Sequence, residues 1–129
     1  MTGSVVSDGG NGPGRGVHTS LSPFDRHNTL IAAGPDFRKG MVDQLPSGNI
    51  DLAPTVLHIL GVPSPDRMDG RVLSEALTSE TPKSPDPVTR TSEATRDLGA
   101  TIWQQYLRVT EFSGTTYLEE ANGHSEPKK

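Results

Sequence analysis

The sequence predicts an α/β fold: a short parallel-type strand with a helix packed against it, then a Pro-rich linker and a small antiparallel β ribbon. Three observations predict it. Asn28 to Ala33 is a short apolar run closed by Gly34-Pro35, the pattern of a strand buried on both faces. Asn49 to Gly61 is the one long apolar run, and it carries helix start and stop signals. Leu98 to Asn122 collects Thr, Val, Ile, Trp and Tyr, which fit strands.

Residues 1–16 read as a flexible Gly-rich loop. The run Gly9 to Gly16 looks like a phosphate cradle but lacks the Lys-Ser/Thr ending of a P-loop. Val17 to Asp25 is irregular and holds His18, with a turn at Ser22-Pro23. The strand at 28–33 follows, then a loop from Asp36 to Gly48 punctuated by Gly40, Pro46 and Gly48.

In the helix that comes next, Asn49 or Asp51 can cap the first turn, and Pro54 is tolerable only near that turn. Gly61 can close the helix in the left-handed conformation, and Pro63 blocks continuation. On a helical wheel Asp51, Thr55 and His58 share one stripe, and apolar side chains cover most of the rest. So wide an apolar arc belongs against a sheet or a larger core. A strand, a loop and such a helix make half of an α/β unit. A second short helix spans 69–77, with Asp69 as its candidate cap.

Residues 78–97 read as a solvated Pro/Ser/Thr-rich linker. Residues 98–122 form the ribbon, with strands at about 101–110 and 115–120 turning at Ser113-Gly114, although Leu98, Ile102, Tyr106 and Val109 also fit helical spacing. The tail, 123–129, is disordered by composition.

Hydrophobic residues make up 31% of the 129 and aromatics 5%, too few for a large core of its own. The net charge of −4 argues against a nucleic-acid partner. Cysteine is absent, which excludes a disulfide-stapled scaffold. No signal peptide or membrane span is visible in the sequence.

Ile50-Asp51-Leu52-Ala53-Pro54-Thr55-Val56-Leu57, then Leu60-Gly61-Val62-Pro63 and Met68-Asp69-Gly70-Arg71-Val72-Leu73, resemble the C-terminal signature of sulfatases and type I phosphodiesterases in the alkaline phosphatase superfamily. Gly16-Val17-His18 through Phe37 is similar to the family segment that carries the last metal-binding histidine. The order of these pieces agrees over about residues 14–77. The ribbon resembles the tail of sulfatase-like hydrolases more weakly.

The resemblance implies that 17–77 is the C-terminal part of an alkaline-phosphatase-like α/β sandwich. It implies hydrolysis of phosphate or sulfate esters by an activated Ser or Thr, with divalent metal, usually zinc, at the reacting group. It makes His18 a metal ligand, followed here by Thr19 where the family usually has Gly. No residue of this chain matches the nucleophile, and Asp8 is the sole acid before His18. Two readings follow. One is the C-terminal part of an ester hydrolase, inactive alone, completed by a missing N-terminal portion or self-associating. The other is a non-catalytic remnant or interaction module that docks to a partner chain. Without the resemblance, His18 is a loop histidine, with Asp25 as a nearby acid. His27 and Asn28 close a strand end, and His58 is a solvated surface residue. Asp51 and Asp69 are caps, Thr55 is a helix-surface hydroxyl, and Arg71 pairs with an acid. Trp103, Tyr106 and Tyr117 pack the ribbon.

Overall fold

The computed structural model describes residues 21–64, 67–80 and 85–129. Their contacts divide into two compact units. The first holds residues 21–29 with Thr89–Val109 and Leu118–Lys129. The second holds Leu30–Val88 with Thr110–Tyr117.

In the first unit a four-residue helix, α1 (Pro23–Arg26), stands where the sequence predicts only a turn. Its Arg26 side chain donates to the carbonyl of Leu118 at 2.7 and 3.1 Å. The rest of this unit belongs to a three-stranded antiparallel sheet in the order β1-β2-β3. The strands are β1 (Val88–Asp97), β2 (Thr101–Phe112) and β3 (Thr115–Pro127). Two features differ from the sequence reading. Val88–Asp97, placed in the linker, is a strand, yet all ten of its residues are exposed. Its Thr-rich polar composition suits an edge strand as well as a solvated linker. The end of β3 lies in the stretch expected to be disordered, because pairing with β2 supplies the order that its composition does not.

The ribbon turn is where the sequence places it. Ser113 and Gly114 have φ of 48° and 81°, the pair of positive values that a two-residue type I′ hairpin requires.

In the second unit a single 3-10 turn, Asn49–Asp51, leads into α2 (Leu52–Ile59). Its end is a Schellman motif. Gly61, at φ 65°, donates its N–H to His58 O, and Val62 donates to Leu57 O. The second predicted helix is reduced to a 3-10 turn at Ser74–Ala76, and Asp69 caps nothing there. Leu77 bridges antiparallel to Phe37, with Arg38 N donating to Ala76 O and Thr78 N to Asp36 O. Leu73, Leu77 and Phe112 are the buried apolar centre of this unit.

The predicted strand at 28–33 is not one. That stretch is irregular and exposed, with Ile31 86% accessible, because no described residue pairs with it. The packed α/β sandwich is therefore not formed within the described residues.

Candidate functional site

His18, the predicted metal ligand, lies outside the described residues. Among the described residues no group of three or more His, Asp or Glu is placed to hold a metal. Asp25, its nearby acid, is exposed. His27 is exposed, 3.8 Å from Glu119, and Asn28 donates its amide to Asp25 O. His58 is exposed and 3.2 Å from Glu80.

The structure gathers a different set of residues around the recognised motifs. Asp51 is fully buried at 0% exposure. Its Oδ2 accepts from Gly48 N at 2.8 Å and from the Tyr117 hydroxyl at 3.0 Å. Its Oδ1 accepts from Arg71 N at 2.8 Å. Asp51 is thus not a side-chain cap of α2; it closes back onto Gly48 and clamps the Met68-to-Leu73 segment. Three donors, two of them backbone N–H groups, converge on its two carboxylate oxygens.

Gly70 is required for this approach. A Cβ on it would sit 2.0 Å from Ile50 O and 2.8 Å from Asp51 N. Side by side, Ile50-Asp51 and Gly70-Arg71 bring the two recognised motifs into backbone contact.

Arg71 is the second hub. Its guanidinium forks onto Glu75, with Nη1 donating to Oε2 at 2.8 Å and Nη2 to Oε1. It also donates to Pro46 O at 2.8 Å and, through Nε, to the Tyr117 hydroxyl at 2.9 Å. The Phe112 ring lies 4.5 Å below its central carbon, a cation–π contact. Burial alone would pull the Arg71 pKa down; hydrogen bonding and the charge of Glu75 outweigh it and raise it. Burial pushes Glu75 up, but the Arg71 fork holds it below the usual carboxylate range. Asp43 is raised, first by burial and then by the nearby Glu75 charge, against the pull of its bond from Leu45 N. Tyr117 is pushed up to about 12, first by burial, so its hydroxyl stays a neutral donor to Asp51.

Thr55 is buried, and its Oγ1 accepts from Leu73 N at 3.0 Å. The sequence reading placed it on the helix surface. The orientation of α2 is the reverse of that expectation. Asp51 and Thr55, on the polar stripe, face the second unit's interior, while Leu52, Val56 (52%) and Leu60 (67%) are exposed. Of the sequence readings, the pairing of Arg71 with an acid is realised, and the i,i+4 spacing to Glu75 was its available signal. Tyr117, 66 residues from Asp51, had no such signal.

Chemically this is a structural clasp. Its ionisable groups are held by one another and by backbone, and none offers a free nucleophile or base.

Over 54 residues, 42% of its length, the chain is 41% identical to a Caenorhabditis elegans protein named as a homologue of the extracellular sulfatase Sulf-1. The match spans 8% of that protein. No protein-family profile and no solved structure matches the chain. The chain thus carries a sulfatase-related stretch.

Proposed function

We propose that this chain is the C-terminal part of a sulfatase-like hydrolase of phosphate or sulfate esters. The observation that carries the reading is the 41% identity over 54 residues to the sulfatase homologue. In this reading the Asp51–Arg71 clasp builds a wall of the larger enzyme, and the reacting groups come from the rest of it. His18 contributes one metal ligand, to zinc by the chemistry of imidazole. The described residues do not make up a metal site. A catalytic zinc takes about three protein ligands, and one imidazole is short of that.

Two features support the reading. Polar residues of the motifs, Asp51, Thr55 and Arg71, are engaged with backbone groups and with the Tyr117 and Glu75 side chains, so the motifs mark architecture more than chemistry. The outward side chains Leu52, Val56 and Leu60 form the kind of surface that a larger core covers.

The experiment is hydrolysis of p-nitrophenyl phosphate and the matching sulfate by the purified chain, alongside zinc titration by calorimetry. The expected result is no turnover above background and weak zinc binding that is lost in His18→Ala. Turnover that disappears in His18→Ala would show a complete site in this chain. Zinc binding unchanged in His18→Ala would remove the ligand role.

A second reading, a non-catalytic module docking to a partner chain, draws on the same exposed apolar residues. The arrangements differ in what restores activity. Adding the N-terminal portion of a sulfatase-like enzyme regenerates ester hydrolysis in the first reading and not in the second.

A further inference from the structure

The sheet of the first unit treats its two edges differently. On the β3 side, Ala121 N donates to Leu21 O at 2.8 Å and the Arg26 side chain donates to Leu118 O, so residues 21–26 cover that edge. On the other side lies β1, which among the described residues has β2 as its one neighbour in the sheet. All ten residues of β1 are exposed, and none is Gly or Pro. An open strand of that length is a template for a further strand, and proteins ordinarily shield such an edge.

The ladder shows which groups point outward. Leu98 N donates to Thr101 O at 2.9 Å. Antiparallel hydrogen bonding alternates along a strand. Ser92, Ala94 and Arg96 therefore turn their backbone groups to β2, and Thr91, Glu93 and Thr95 turn theirs outward. Side chains alternate as well. Arg90, Ser92, Ala94 and Arg96 share one face, and Thr91, Glu93, Thr95 and Asp97 share the other. The charges are thus sorted by sign, arginine on one face and acid on the other. Asp97 is held by Lys128 and by Gly99 N, so Glu93 is the acid that can meet a new strand.

This sorting disfavours a second copy as the added strand. Two antiparallel edge strands in one continuous sheet are related by a two-fold axis normal to it, so each face meets its own kind. With Glu93 at the axis, Glu93 lies opposite Glu93, and Arg90 opposite the Arg96 of the second copy. With Ser92 at the axis, Arg90 and Arg96 become diagonal neighbours. Like charges placed so are destabilising.

We propose that β1 takes up an extended segment of another protein as a fourth, antiparallel strand. Main-chain bonds to Thr91, Glu93 and Thr95 hold the segment, and side-chain charge selects it. It carries acids opposite Arg90 and Arg96 and a base opposite Glu93, the pattern Glu-x-x-Lys-x-x-Glu. The inference rests on the sheet edge and not on the hydrolase reading.

The test is a titration of the isotope-labelled full chain, followed by its amide NMR signals, with two short peptides. One has the pattern Glu-x-x-Lys-x-x-Glu with Thr and Val between. The control has the signs reversed, which is the pattern of β1 itself. The expected result is a saturable shift at the amides of Thr91, Glu93 and Thr95. The first peptide should bind about tenfold more tightly than the control, the combined effect of three cross-strand charge pairs. Glu93→Lys should weaken that peptide and strengthen one with Glu at its central position. Thr95→Pro removes an outward N–H where an edge strand tolerates proline, and should abolish binding. If Thr95→Pro disturbs the β2 amides, Glu93→Lys decides. No saturable shift, shifts away from β1, or equal binding of the two peptides overturns the proposal. So do concentration-dependent shifts of β1 without peptide, which would put a second copy on the edge.

Discussion

Replacing Gly70 by alanine would drive a methyl carbon into the backbone of the helix entry. The added carbon would lie 2.0 Å from Ile50 O and 2.4 Å from the Ile50 carbonyl carbon. A carbon and an oxygen settle at about 3.3 Å, so the two backbone segments must part by roughly 1.3 Å. Both contacting atoms are main chain, so no side chain can swing away. A shift of that size takes Arg71 N, now 2.8 Å from Asp51 Oδ1, out of hydrogen-bond range. Losing a bond to a buried charge costs about 1.5–3 kcal/mol. Overpacking adds about 1–3 kcal/mol. The expected loss is therefore about 2.5–6 kcal/mol, a large part of an ordinary domain's stability. Urea unfolding followed by far-UV circular dichroism measures it. Gly61→Ala is the control: Gly61 has φ 65° with open space around its would-be Cβ, so only left-handed strain applies, about 1–2 kcal/mol. If Gly70→Ala falls within about 0.5 kcal/mol of the parent chain, the backbone contact between the two motifs is not what holds them.

Arg71→Ala should destabilise by about 3–5 kcal/mol in the same assay, because it strands the buried Glu75 carboxylate. Tyr117→Phe should cost less, about 1.5 kcal/mol, since Asp51 keeps its bonds from Gly48 N and Arg71 N. Equal losses in the two variants would contradict the assignment of Arg71 as hub. Glu75, with its pKa held down, contributes stability that is present above its unfolded pKa and lost as pH falls through the folded one. Denaturation midpoints should therefore drop at acid pH, and Glu75→Gln should flatten that limb. Asp43 has the opposite sign: raised by burial first, it favours the fold at low pH and opposes it as pH rises through its folded value. Asp43→Asn should thus stabilise at neutral pH, by roughly 0.5 kcal/mol, while the oxygen that accepts from Leu45 N is kept. Val56→Lys with Leu60→Glu should lower self-association in sedimentation without lowering the unfolding midpoint, because both side chains are exposed. A lowered midpoint would mean that these side chains pack in the free chain.

Local chemistry was legible without coordinates. Gly61 and Pro63 mark the end of α2, and the Schellman bonds form there, because a left-handed glycine is a property of the residue itself. Ser113-Gly114 likewise turns the ribbon, since both positions need positive φ. The ribbon's strands also follow from its β-branched and aromatic residues, and α2 lies within the long apolar run from Asn49 to Gly61. The strand predicted at 28–33 fails, because apolar content makes a strand only where another strand supplies hydrogen bonds. Val88–Asp97 succeeds as a strand for the converse reason: β2 lies beside it, and its polar residues need no burial.

Asp51 and Thr55 show the division most clearly. The sequence by itself determined that a helix begins at this point and that its polar and apolar stripes are separated. It could not say which stripe faces inward. Tertiary structure decided that, by bringing Arg71 N, Leu73 N and the Tyr117 hydroxyl to the polar side. A buried carboxylate is stable only where enough donors converge on it, and donors 20 and 66 residues away converge through folding alone.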